Sequence, residues 1–491
     1  MLLNLPLALA TSLLLILAFP SFDIALLAPF ALAPLLVASA REPGAKRRFL
    51  LGWAAGILYW AGVCYWVEYV LAKHGGMAPW AAWLAFALFS LAKALHLGVF
   101  ALAAGPLLAR RWALVTVPAL WVAMERTHGD LGFAWLALGN AGVDMSMAAR
   151  LAPYTGVYGI SFVFAMMAAA IALLALRRPR IELAPLAVLL LLALLPKLPE
   201  ARRGDETAVL VQPNASETAA WTPEWVAGMR ERMQSLSLRA ALAPGAPPPA
   251  LIVWPEAPLP QYYDGDPAFR DAVNGLARRT GAYLIVNATP YTAAGAPLNS
   301  ALLISPEGTM LGRYDKMNLV PFGEFVPWPF KALVDKMSTE AGDFAPGRRQ
   351  VTLPAGAHRI GAFICYESVF PNFVRRFARD GADLYVNISN DGWYGRSAAR
   401  EQHLKIVRMR AVESRRWILR ATNDGVTSTI DPAGRVWRNL PPYTDGAART
   451  GYSYVNRTTF YSRHGDWFVW VAVLLAVAGF ADALHPRRSL R

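Results

Sequence analysis

Reactive side chains gather in four short segments of the chain. The first is Val253-Trp254-Pro255-Glu256 and the second runs from Arg313 to Glu324 through Lys316. The third is Gly361-Ala362-Phe363-Ile364-Cys365-Tyr366-Glu367, and the fourth runs from Asn387 to Gly395 through Trp393. Taken singly, each residue has an ordinary explanation. A lone cysteine is usually a small buried hydrophobe, and Cys64 keeps that reading. A lysine is usually a solvated charge, Glu256 would suit a helix N-terminus, and Glu324 and Glu367 would suit salt bridges. Taken together they fit covalent chemistry. A thiol with an ordinary pKa of about 8.5 is mostly protonated at neutral pH, so a nucleophilic cysteine needs a base or a positive neighbour. A carboxylate can take the thiol proton, and an ammonium can hold the thiolate and then the oxyanion of a tetrahedral intermediate.

Other chemistries lose ground. The chain has no Gly-x-x-x-x-Gly-Lys phosphate loop, no His-Glu-x-x-His zinc helix and no Gly-x-Ser-x-Gly elbow. Its 7 histidines lack metal-ligand spacing, and 2 cysteines exclude a disulfide framework or an iron–sulfur cluster.

The elements that must position these groups are legible between residues 201 and 465. Apolar runs of strand length lie at 208–211, 251–254, 283–287, 301–304, 360–364 and 384–388. Amphipathic stretches at 225–242, 267–279, 369–378 and 399–416 alternate with them. Strands alternating with helices predict a layered α/β domain.

The flanks are different. Apolar residues make up 55% of the 491 residues and charged ones 17%, against about 25% charged in a soluble domain. Uncharged runs at 3–19, 24–40, 50–70, 79–109, 112–124, 157–176, 183–196 and 467–484 predict about eight membrane helices. Seven fall in residues 1–200, and the last opens a closing segment, 466–491. With an inner N-terminus, twelve basic residues fall in inner segments: Arg41, Lys46, Arg47, Arg48, Arg110, Arg111, Arg177, Arg178, Arg180, Arg487, Arg488 and Arg491. Lys73, Arg126 and Arg150 fall in short outer loops. Basic short loops stay inside, so the polar domain is expected on the outer face. No Lys or Arg precedes Arg41, so residues 1–20 read as a retained helix rather than a leader peptide. With 17 tryptophans and a net charge of +14, the expected partner is the lipid bilayer rather than nucleic acid. Lys93 and His96 sit within the fourth run, where ionisable residues hint at function; a bundle-facing or snorkelling role is expected of them.

The contexts Trp-Pro-Glu at Glu256, Lys-x-x-Leu-Val-Pro-Phe-Gly-Glu from Lys316 to Glu324, and Cys-Tyr-Glu at Cys365 resemble the nitrilase or carbon–nitrogen hydrolase superfamily. Helices on both sides narrow the resemblance to the apolipoprotein N-acyltransferase family. The resemblance implies a nitrilase-like αββα sandwich in the periplasm of a bacterial inner membrane, with no cofactor and no metal. It makes Glu256 the general base, Lys316 the oxyanion stabiliser and Cys365 the nucleophile. Glu324 would support the lysine, Tyr366 and Glu367 would shape the pocket, and Trp221 and Trp393 would lie near the active site. Pro255 and Asp315 depart from common family residues without touching the triad. The implied reaction is ping-pong acyl transfer, the last step of lipoprotein maturation. A membrane phospholipid, taken to be phosphatidylethanolamine, donates the acyl chain to a diacylglyceryl apolipoprotein through a Cys365 thioester. Segments 325–344 (as a lid) and 132–140 are candidate pocket walls. A membrane-tethered amidase would share Glu256, Lys316 and Cys365, and a transporter would lean on Lys93 and His96.

Overall fold

The computed structural model describes residues 2–216, 221–256, 261–325 and 344–485. All of the candidate lid between its end residues, 326–343, and the basic tail, within 486–491, lie outside the described residues. The chain divides into two compact units. A helical unit comprises Met1–Glu68, Ala78–Leu198 and His464–Arg491, and a two-sheet unit comprises Tyr69–Met77 and Pro199–Arg463.

In the helical unit, Pro79–Leu108, Val157–Ala175 and Trp467–Leu484 are long and apolar enough to cross a membrane. Ala45–Val63 and Trp66–Lys73 pass the same test only as a pair, bent by 61°. The other apolar runs take different forms. Leu5–Ala18 and Ala33–Arg41 are short helices, and Ala113–Asp130 extends well past the uncharged run that begins it. Arg180–Leu194 is a 15-residue 3-10 helix. At a rise of about 2.0 Å per residue it extends about 30 Å, so a shorter sequence covers the length of a longer α-helix.

Glycines set the closest packing in this unit. A Cβ on Gly52 would lie 2.2 Å from the Leu97 carbonyl oxygen, and one on Gly56 would lie 2.7 Å from Ala94 Cα. The Gly-x-x-x-Gly spacing therefore lets Ala45–Val63 lie backbone to backbone on Pro79–Leu108.

The two-sheet unit is a four-layer sandwich. Its first sheet contains β1 (Glu206–Gln212), β2 (Leu251–Val253), β3 (Tyr283–Ala288), β4 (Ser300–Ile304) and β5 (Met310–Asp315). The second contains β6 (Leu353–Ala355), β7 (His358–Ile364), β8 (Leu384–Ser389), β9 (Ile418–Thr422), β10 (Ser428–Ile430) and β11 (Val436–Arg438). The last strand, β12 (Gly446–Tyr452), returns to the first sheet. The orders are β12-β1-β2-β3-β4-β5 and β11-β10-β9-β8-β7-β6. In each sheet the central trio is parallel, β1-β2-β3 and β7-β8-β9.

Strand alternation explains the layers. Ala208 and Leu210 on β1 join a core with Ile360, Ala362, Ile364 and Val386 of the second sheet. Val209 and Val211, pointing the other way, pack with Met233, Phe269 and Val273 of helices Pro223–Ala241 and Pro267–Thr280. Those helices start at side-chain caps: Thr222 accepts from Trp225 N and Asp266 from Phe269 N. On the second sheet, Phe363 and Tyr385 pack against Phe377 of helix Pro371–Arg379.

Candidate active site

Strand ends deliver the reactive groups. Glu256 lies just past β2, Lys316 follows β5 and Cys365 follows β7. Lys316 is 1% exposed, with Glu256 and Glu324 each 7% exposed. Its Nζ donates to Glu256 Oε1 at 3.2 Å and to Glu324 at 3.0 Å on Oε1 and 2.9 Å on Oε2. Asn299 Nδ2 donates to both acids, at 2.7 Å to Glu256 and 2.8 Å to Glu324. Glu256 Oε2 accepts the Asn390 N–H at 3.0 Å, which ties this acid on the first sheet to the loop after β8 on the second. Glu324 Oε2 accepts Val320 N at 2.8 Å.

Burial alone would push the Lys316 ammonium towards neutrality, yet the two carboxylates outweigh it and hold its pKa above the ordinary value. Removing one partner from such a buried cluster typically costs about 3–5 kcal/mol.

Cys365 is buried and sits in the left-handed region, with φ +49°. For a residue with a side chain this costs on the order of 1–3 kcal/mol and persists only where the surroundings enforce it. Burial pushes the thiol up to about 12, helped by the charge of Glu256, while Lys316 pulls the other way. The resting sulfur therefore keeps its proton. The balance of charges favours the protonated thiol over a thiolate stored beside the ammonium.

Glu367 fastens the cysteine turn to the lysine loop. Its Oε1 accepts Tyr314 Oη at 2.6 Å, Met317 N at 2.8 Å and Asn318 N at 3.1 Å, and Oε2 accepts Ile364 N at 2.9 Å. Burial raises its pKa against the pull of these donors. Tyr366 is buried and meets Phe370 edge-on at 5.3 Å.

The two tryptophans differ. Trp393 packs against His74, ring centroids 4.3 Å apart, and lies beside Gly323, where an added Cβ would be 3.3 Å from its ring. It thus supports the turn that carries Glu324. Trp221 is 50% exposed, just before the helix cap at Thr222. Among the described residues it has no ring contact or hydrogen bond, and the structure does not bring it into the buried network.

Several members of the network were not singled out from sequence. Asn299 had one available signal, a polar Asn-Ser pair entering the apolar run of β4. Asn390 and Asp391 lay inside a segment picked for Trp393. His403 and Arg420 gave no signal beyond their polarity.

In the helical unit, segment 132–140 is anchored by buried polar contacts. Lys93 Nζ donates to the Phe133 carbonyl at 3.0 Å, Leu138 N to Glu125 Oε1 at 2.7 Å and Gly139 N to Ser161 Oγ at 2.8 Å. Lys93 also lies 2.5 Å from His128 Nδ1, and the His96 ring stacks on His128 at 3.8 Å. Among the described residues no group of three or more His, Cys, Asp or Glu could hold a metal ion.

Residues 210–459 match the carbon–nitrogen hydrolase family, and residues 11–170 match the apolipoprotein N-acyltransferase N-terminal domain. The chain is 34% identical over 510 residues to an apolipoprotein N-acyltransferase of Geobacter metallireducens, covering 98% of this chain and 95% of that protein. It is 32% identical to one of Bordetella bronchiseptica, covering 96% and 94%, and 34% identical to one of Azotobacter vinelandii, covering 99% and 95%. Similarity on this scale runs through both the helical and the two-sheet regions, and the chain belongs to the apolipoprotein N-acyltransferase family, acyltransferases of the carbon–nitrogen hydrolase superfamily.

Proposed function

We propose that this acyltransferase moves a fatty chain from a membrane phospholipid to the α-amino group of a diacylglyceryl-cysteine, through a thioester on Cys365. The observation that carries the reading is the convergence of Glu256, Lys316 and Cys365 from the ends of three strands, with the thiol feeling the charge of both partners.

In the first half-reaction Sγ attacks the ester carbonyl as Glu256 accepts its proton. Lys316 stabilises the oxyanion. The C–O bond then breaks, and Glu256 returns the proton to the departing lyso-phospholipid. In the second, the acceptor amine attacks the thioester, Glu256 takes an amine proton, the C–S bond breaks, and that proton restores the thiol. The product is an N-acylated lipoprotein. Asn299 and Glu324 hold Lys316 and Glu256 in place throughout. Phosphatidylethanolamine is the donor we assign.

A membrane setting follows from the substrates. Lifting an acyl chain out of the bilayer costs about 0.8 kcal/mol per methylene, so chemistry at the bilayer surface avoids a prohibitive cost. We place the helical unit in a bacterial inner membrane with about eight crossings and the two-sheet unit in the periplasm. The twelve basic residues of the proposed inner segments support this orientation.

Intact-mass measurement after incubation with phospholipid tests the reading. One acyl chain added to the parent, and none to Cys365→Ala, is expected. An adduct that survives in Cys365→Ala, or normal turnover by that variant, would overturn it.

A further inference from the structure

We propose that His403 is a positioning residue for the nucleophile: its Nε2–H holds the Cys365 carbonyl and thereby fixes the backbone turn from which the thiol projects. This rests on the reading of Cys365 as the nucleophile.

His403 lies on helix Ala399–Ser414 with its side chain fully buried. Its Nε2 is 3.1 Å from the Cys365 carbonyl oxygen and 2.8 Å from Ser368 Oγ. Its Nδ1 is 3.2 Å from Asp391 Oδ1 and 3.3 Å from Arg420 Nη2. Behind the ring, Arg420 Nη2 reaches both Asp391 oxygens at 2.8 Å, Ser389 Oγ donates to Asp391 at 3.0 Å, and Arg420 Nη1 bonds Asn387 Oδ1. The side chains of Asp391 and Arg420 are both 0% exposed. A buried, charged network of this kind is costly to assemble and rigid once satisfied.

Cys365 is where that rigidity is needed. Its φ of +49° is one that an ordinary residue leaves unless held. The peptide joining Cys365 to Tyr366 is planar and trans, so gripping its carbonyl fixes the whole plane and aims the Tyr366 N–H the opposite way. Without the grip, the turn can relax towards negative φ and swing the sulfur away from Glu256 and Lys316.

Holding the carbonyl requires a proton on Nε2. Burial, and then the Arg420 guanidinium, disfavour a charged His403 against the opposing pull of Asp391. A neutral ring with its proton on Nε2 donates to Cys365 and accepts at Nδ1 from Arg420. The other tautomer donates from Nδ1 to Asp391, accepts the Ser368 hydroxyl at Nε2 and leaves the Cys365 carbonyl without this donor.

The test uses the full-length chain in detergent, with single-turnover acylation by a fluorescent phospholipid. His403→Leu removes every contact of the ring. His403→Gln keeps an N–H near the position of Nε2, whereas His403→Asn keeps only the shorter reach towards Asp391. His403→Leu and His403→Asn are expected to acylate about 100-fold more slowly, the cost of a displacement of about 1 Å. KM for the donor should hold within about twofold, and His403→Gln should recover to within about tenfold of the parent. A purely structural role would lower the unfolding temperature of all three without separating Gln from Asn. Equal rates for Gln and Asn, or parental rates in all three, would overturn the inference. If His403→Leu does not fold, the Gln and Asn pair decides. Turnover by Cys365→Ala would instead sink the nucleophile reading, whereas a dead Cys365→Ala beside fully active His403 variants would sink this inference alone.

Discussion

Lys316 in the two-sheet unit and Lys93 in the helical unit are both almost wholly buried, at 1% and 8% exposure. Lys316 lies within 3.2 Å of Glu256 and 2.9 Å of Glu324. Lys93 is paired with no carboxylate among the described residues. It meets the His128 ring nitrogen, the Phe133 carbonyl and the faces of Trp60 and Phe133, at 4.7 and 5.3 Å from the ring centroids. The contrast separates two uses of one side chain. Carboxylates on two sides keep an ammonium charged and fixed. Neutral acceptors and ring faces make the other ammonium a fastener, here for segment 132–140. These contacts all lie within the helical unit, so Lys93 faces its own bundle.

Paired substitutions sharpen this contrast. Lys316→Met should slow single-turnover acylation about 100- to 1,000-fold, the usual loss for one oxyanion donor. Lys93→Met, which removes a fastener of the helical unit and no oxyanion donor, should stay within about threefold. A comparable loss at Lys93 would break the distinction.

Thiol titration offers a second, directional test. In a Cys64→Ala background, the rate of alkylation of Cys365 by iodoacetamide against pH should rise towards a midpoint above the ordinary thiol value of about 8.5, because burial disfavours the thiolate. Removing the negative neighbour with Glu256→Gln should move that midpoint down, because the thiolate loses a repulsion, even though acyl transfer falls. Lys316→Met should move it up, because the thiolate loses an attraction. Shifts in the same direction would show that the two partners do not act on the sulfur as charges.

A smaller effect is expected at Asn299. Its amide bridges both acids, and a hydrogen bond to a charged group contributes about 1.5–3 kcal/mol. Asn299→Ala should slow acylation by at least about tenfold; unchanged rates would mean the lysine alone orders the carboxylates. Smallest of all, Lys93→Met should lower the thermal midpoint by a few degrees, read by scanning calorimetry.

Glu256 and Cys365 were legible because each follows an apolar run, and a charge or thiol at the end of a buried strand stands out; Lys316 follows the polar, mostly exposed strand Met310–Asp315, and only its Leu-Val-Pro-Phe-Gly-Glu context marked it. The strands that complete the sheets were not legible. Gly446–Tyr452 contains two glycines and no β-branched residue except Thr450, yet it pairs along β1 over seven residues, from Glu206↔Tyr452 to Gln212↔Gly446. Its strand character comes from a partner more than two hundred positions away. Ile418–Thr422 hides in the same way. Arg420 interrupts its apolar pattern, and only Asp391, brought alongside by β8, lets that guanidinium be buried. In the helical unit, apolar runs located most segments, but composition does not record backbone pitch. The bend between Val63 and Trp66 and the 3-10 pitch of Arg180–Leu194 left no mark in the apolar pattern.

The left-handed turn at Cys365 has a consequence for the protein's tolerance of change. At most buried positions alanine outlasts glycine, because glycine surrenders more freedom on folding. Here that ranking should invert, since glycine alone occupies such a turn at no steric expense. The residue most comfortable at this position is therefore one without a sulfur. On the proposed reading of Cys365 as the nucleophile, stability and activity pull in opposite directions at this position.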